Sequence, residues 1–197
     1  MNKENAFVKE LSYIKDGRIL ENAKKLIDLL PDYFYEVPAS STGKYHPSFA
    51  QGEGGLLRHT KAAVRIAYEI LSNECLCTGY TDIEKDLVIL ALIMHDGCKY
   101  GFEKGKYTLV NHPMLAAKLI RDNKDKLTLE DEELELLCGM VEAHMGPFNK
   151  DFNGNVMMPL PKNKYEKLVH MCDLLASKKF LDINFDNSEI EENWNIF

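Results

Sequence analysis

Leu90-Ala-Leu-Ile-Met-His-Asp-Gly-Cys-Lys99 is the stretch from which the fold is read. An unbroken apolar run enters a His-Asp pair, and a lysine follows at once. Two adjacent residues that both donate to metals, ending a segment too apolar for a surface, predict a helix delivering ligands to a buried cleft. Upstream, Thr81 or Asp82 caps this helix, and Glu84 to Asp86 fill its first turn. Val88 to Met94 is apolar nearly all round, the pattern of the central helix of a bundle. Gly97 is expected to stop the helix in a left-handed conformation.

Outward from that helix the pattern is helical on both sides. Leu56 to Leu71 places Leu57, Val64, Ala67 and Leu71 on one face, with His59 partly on the same side. His112-Pro113 opens a helix running to Asp122, with proline in the first turn where its missing N–H is harmless. A further helix spans Leu129 to Met145 and finishes at His144, before Gly146-Pro147. The last spans Lys164 to Phe180 and sets Asp173 among Leu168, Val169, Cys172, Leu175 and Ala176. Residues 1–30 read as two N-terminal packing helices separated by Asp16-Gly17. Residues 100–110 read as a small hairpin or irregular flap. Residues 181–197 read as an acidic, weakly patterned tail ending Trp194-Asn-Ile-Phe197. The expectation is one all-α domain over residues 1–197, with a core at 45–180.

Two stretches break the periodicity. Residues 31–55 and 146–163 are long, rich in turn formers, and of the kind that line active sites, so substrate specificity is expected there. Gly43-Lys44 is not a phosphate-cradling P-loop, because the first glycine is missing and Tyr45 stands where Ser or Thr is required. Ser40, Ser41, Thr42 and Lys44 remain candidates for contacts to a phosphate.

Composition excludes several classes. The 197 residues are 45% hydrophobic and 28% charged, with 12 Gly and 7 Pro, which fits a globular chain and not a disordered one. A net charge of -7 argues against a broad nucleic-acid groove, which needs clustered Lys and Arg. It leaves room for a small anionic substrate held by a local cation. The five cysteines, Cys75, Cys77, Cys98, Cys138 and Cys172, form no paired framework. With no signal peptide they read as reduced thiols of a cytoplasmic protein. Cys75-Leu-Cys77 lacks the spacer of a zinc knuckle. No apolar run reaches the roughly 18–20 residues of a membrane span.

A carboxylate such as Asp173 inside an apolar face needs a partner, because an unpaired buried charge costs several kcal/mol. A lysine or a metal would serve. His59, His95, His112 and His144 each stand on or at the end of a helix beside apolar residues, and bundle cores host metals through facing helices. Together with these histidines, a metal is the expected partner.

The order His59, His95-Asp96, His112, His144, Asp173 resembles that of the HD-domain phosphohydrolase superfamily. Gly54-Gly-Leu-Leu-Arg-His59-Thr is similar to the Gly-Gly-Leu-Leu-Glu-His-Thr opening of the branch that includes YhaM-like 3'-to-5' exoribonucleases. Met94-His-Asp-Gly-Cys-Lys99 is similar to the family's Leu-His-Asp-Ile-Gly-Lys. The resemblance spans residues 45–180 and implies an HD-domain helical bundle with two long active-site loops. It implies that His59, His95, Asp96 and Asp173 form the basic metal site, with His112 and His144 added in two-metal members, where the aspartate bridges the ions. Arg58 and Gly97-Cys98 depart from the pattern. The branch's N-terminal oligonucleotide-binding domain has no counterpart here, so long nucleic acid is not an expected partner.

Imidazole and carboxylate ligands suit one or two ions of Mn, Fe, Co, Ni or Zn. Such ions acidify water from pKa 15.7 toward about 7 and clamp a phosphoryl oxygen, so no nucleophilic side chain is required. Lys99 would meet the substrate phosphate as a point charge. His46 and Lys44 are candidates for holding substrate or protonating the leaving oxygen, and Asp151 for carrying a proton. The expected activity is metal-dependent hydrolysis of a phosphomonoester or phosphodiester in a nucleotide or short oligonucleotide. The rivals are a mixed-valent di-iron oxygenase and a non-catalytic module binding a nucleotide or a protein.

Overall fold

The apolar run forms helix α4, Asp82–Met94, in which every residue from Leu87 to Met94 is buried. It packs against α2, Gly17–Asp28; α3, Gly55–Ser72; α6, Asp131–Ala143; and α7, Lys164–Ala176. A helix apolar on all sides has no face to give to water, and the bundle closes round it. Helix α5, His112–Asp122, packs on α6. The architecture is all-α, as expected; among the described residues the named strands are β1, Phe185–Asp186, and β2, Glu189–Ile190. The computed structural model describes residues 3–44, 46–181 and 183–192. Tyr45, Asp182 and the Trp194–Phe197 end of the expected tail lie outside them.

Local chemistry sets the helix ends. Thr81 Oγ1 accepts from the Glu84 amide and the Glu84 carboxylate accepts from the Thr81 amide, a reciprocal cap that starts α4. Asp16 starts α2 by accepting from the amides of Arg18 and Ile19. Helix α6 begins at Asp131 and not at Leu129, because Glu130 and Glu133 form a cap ahead of it. Helix α7 stops at Ala176, short of Phe180, where the Ser177 hydroxyl turns back to the Leu174 carbonyl at 2.7 Å. The first expected helix is a 3-10 turn, Lys3–Phe7, running into a single α turn, α1, Val8–Leu11.

One expectation is corrected. Gly97 is not left-handed; a Cβ there would lie 2.6 Å from Leu30 Cδ2 and 3.1 Å from the Met94 carbonyl, so glycine lets the chain after α2 pack close on the His-Asp turn. The weakly patterned tail carries a small hairpin: β1 and β2 pair antiparallel, Phe185 opposite Ile190, over α3. Phe185 packs on Phe49 with ring centroids 5.2 Å apart, and Lys61 and Arg65 of α3 pair with Glu189 and Glu192. Alternation over two residues is too short for a sequence pattern to register.

The 100–110 flap consists of turns, tied down where Tyr33 Oη donates to the Gly101 carbonyl at 2.5 Å. In the opening motif the two glycines do different work. Gly54 is left-handed at φ +69°, and a Cβ on Gly55 would collide with the Ala50 carbonyl, so only glycine lets residues 38–50 approach α3. No described helix is long and apolar enough to cross a membrane.

Candidate metal centre

Five helices converge on one place. His59 lies in the opening turns of α3, His95 and Asp96 follow α4, His112 begins α5, His144 follows α6, and Asp173 comes from within α7. The histidines and Asp96 are buried, and the Asp173 side chain is 17% exposed. Ligand atoms of His59, His95 and Asp96 lie within 4.8 Å of one another, as do those of Asp96, His112 and His144. Asp96 is thus common to two half-sites. All six residues singled out in the sequence as metal ligands meet here.

The imidazole rings are oriented by their own backbone. His95 Nδ1 donates to the Leu92 carbonyl at 2.6 Å, His112 Nδ1 to Leu109 at 2.7 Å, and His144 Nδ1 to Val141 at 2.7 Å. For His95 and His144 the acceptors are carbonyls that the end of a helix leaves without an amide. A carbonyl only accepts, so Nδ1 carries the proton and each Nε2 presents a lone pair inward.

Those lone pairs face more lone pairs. His112 Nε2 and His144 Nε2 stand 3.2 Å apart. His95 Nε2 lies 3.4 Å from Asp96 Oδ2 and 3.5 Å from Asp173 Oδ1, and it has no hydrogen-bond partner. Asp96 Oδ1 also lacks one, although His112 Nε2 approaches to 2.9 Å. His59 Nε2 meets Asp173 Oδ1 at 2.9 Å. Such an arrangement requires positive charge between the groups. Burial opposes protonation of His95, but Asp96 and Asp173 push its pKa up to about 10, so with no ion between the groups a proton takes the inward position on Nε2. Burial would raise both carboxyls, yet Lys99 and His95 hold Asp96, and His59 and His95 hold Asp173, well below the usual carboxylate range. Buried nitrogen lone pairs converging on carboxylates are the donor set of a divalent transition ion, and the residues fit one.

Lys99 Nζ is 2.5 Å from Asp96 Oδ2, so this cation already leans on the shared carboxylate. His46 lies against His59 edge to face, with centroids 4.9 Å apart and Nδ1 buried without a partner. Burial, His59 and Lys99 depress its pKa to about 3, so the ring is neutral at physiological pH. Lys44 is exposed in a turn where the Ser40 and Thr42 hydroxyls lie 3.2 Å apart. Asp151 is half-buried and closes its own loop, accepting from Asn153 and Asn155 at 2.8 Å. His170, three residues before Asp173, was not singled out in the sequence; the same one-turn spacing from a buried carboxylate is the signal that would have found it.

A helical bundle whose core end gathers four imidazoles and two carboxylates defines a class, the metal-binding helical bundles. The chain belongs to the HD domain family, whose model matches residues 53–177. It is also similar to the 3'-5' exoribonuclease YhaM of Listeria welshimeri, at 25% identity over 194 residues covering 92% of this chain. The chain spans 57% of that relative's length. No solved structure matches it.

Proposed function

We propose that the protein hydrolyses a phosphomonoester or phosphodiester bond in a nucleotide or short oligonucleotide, using one or two divalent transition ions. The observation that carries the reading is the convergence of the Nε2 atoms and the two carboxylates on one buried place, with His95 Nε2 and Asp96 Oδ1 left without hydrogen-bond partners. His59, His95, Asp96 and Asp173 would hold one ion, and Asp96, His112 and His144 a second. Bound there, Mn, Fe, Co, Ni or Zn supplies Lewis acidity toward a phosphoryl oxygen and acidifies water near neutral pH.

The chain's residues supply the rest. Asp96 and Asp173 stay ionised and fix the negative side of the site, while the carbonyls of Leu92, Leu109 and Val141 hold the rings in one tautomer. Lys99 draws the substrate phosphate toward Asp96, and the neutral His46 ring offers it a hydrogen bond. Lys44 meets the phosphate or leaving group from the 31–55 loop. The five free thiols accord with a cytoplasmic location.

The test is hydrolysis of a panel of nucleoside phosphates, cyclic nucleotides and short oligonucleotides by protein reconstituted with Mn or Fe. Turnover of a panel member that vanishes with chelation and with Asp96→Ala is the expected result. Equal hydrolysis by the metal-free variant would contradict the proposal.

A further inference from the structure

The sixth histidine, His170, belongs to neither half-site, although it touches the centre's frame. His170 lies half-buried on α7, and its Nδ1 donates to the backbone carbonyl of His144 at 2.7 Å. That carbonyl follows the last residue of α6, where no helical amide is available to it. Two residues on, the chain turns left-handed at Gly146, φ +55°, directly against the imidazole. A Cβ at Gly146 would fall inside contact distance of His170 Cε1, Nε2 and Nδ1. The turn after α6 is therefore shaped to admit this ring.

The consequence falls on His144. Its own ring is tied back to the Val141 carbonyl, so the backbone conformation at residue 144 decides where Nε2 points relative to Asp96 and His112. One turn along the same face of α7, Asp173 reaches His59 in the other half-site. One face of α7 thus contacts both halves.

We propose that His170 is a positioning residue that sets His144 as a ligand of the second ion and holds the two half-sites in register through α7. The inference rests on the two-half reading above. The experiment is Mn binding by equilibrium dialysis with elemental analysis, on wild type, His170→Ala, His170→Asn and Gly146→Ala, with urea unfolding of each metal-free protein.

Wild type should bind two ions. His170→Ala and Gly146→Ala should keep the first at unchanged affinity and bind the second about 10- to 100-fold more weakly, the usual effect of removing an outer-shell partner. His170→Asn should restore the second ion, because its amide N–H stands where Nδ1–H stood, and the unfolding midpoint of His170→Ala should stay close to wild type. An unchanged second ion in His170→Ala would overturn the proposal. So would equal weakening of both ions with a lowered midpoint, or failure of His170→Asn to rescue, since these mark a merely structural contact. A saturated wild type with one ion would overturn it while sparing the single-ion form of the function; one with no ion would overturn both.

Discussion

His59 and Lys61 stand two residues apart on α3, both buried without exposed surface, yet the polar clusters they enter obey opposite rules. Lys61 brings a cation to Glu10, at 3.4 Å, and to the half-exposed Glu189 of the hairpin. Its charge is answered by residues of the chain itself. His59 enters a group in which ring nitrogens and carboxylate oxygens face one another, and only Lys99 and a proton on His95 offset them. Buried charge costs free energy in either place. The Lys61 cluster ties terminal segments to the bundle through ordinary ion pairs, with Glu10 Oε2 left without a hydrogen bond, whereas the His59 cluster gathers four imidazoles round two carboxylates, a donor set that could hold a metal ion. This contrast, more than the number of histidines, separates a functional polar core from a structural one.

The contrast breaks most visibly at Asp96. Asp96→Ala removes the residue common to both half-sites, and hydrolysis should fall at least about 1,000-fold, equivalent to about 4 kcal/mol of transition-state stabilisation. Steady-state rates against the best substrate of the panel measure it. Loss of stability without loss of rate would place Asp96 in the structural class.

Lys61→Ala should do the reverse. It leaves Glu10 buried without its cation and should cost about 3–5 kcal/mol in urea unfolding, while metal per folded chain stays at the wild-type level. A drop in metal content matching that of Asp96→Ala would erase the distinction.

Gly55→Ala sharpens the boundary between the two regions. Its Cβ would meet the Ala50 carbonyl, next to the turn that carries His59, and should cost about 1–3 kcal/mol by overpacking. Urea midpoints give the value.

The smallest effect is in pH dependence. Burial raises the Glu10 carboxyl above its ordinary value of 4.5, against the lowering effect of Lys61. An acid whose folded pKa is raised favours the protonated fold, so its contribution is full below the unfolded pKa and is lost as pH climbs through the raised value. Wild type should therefore lose more stability than Glu10→Gln as pH rises above the ordinary carboxylate value of 4.5. Urea midpoints across that rise check it, and parallel curves for the two proteins would refute the assignment.

Most of the imidazole and carboxylate cluster was legible in sequence because histidines beside apolar helix ends, and an aspartate inside an apolar helix face, are rare placements for those residue types. Val88 to Met94 announced a central helix by apolarity alone, and the order from His59 to Asp173 survived folding unchanged. What stayed hidden depends on contacts between distant segments. The meeting of Lys61 with Glu10 and Glu189 has no spacing to read, and a two-residue strand has no period. Gly97 looked like a helix stop because glycine often is one; its real constraint is Leu30, far away in the chain. His170 hid because its partner is a backbone carbonyl, which every residue has.

The most direct measurement is the count of metal ions per chain, by ICP-MS, on wild type and Asp96→Ala after reconstitution with Mn or Fe and removal of free metal. One or two transition ions are expected in wild type and none in Asp96→Ala. Wild type that retains no metal under either condition would contradict this, because the unanswered lone pairs of the His59 cluster would then have to be reconciled without a cation.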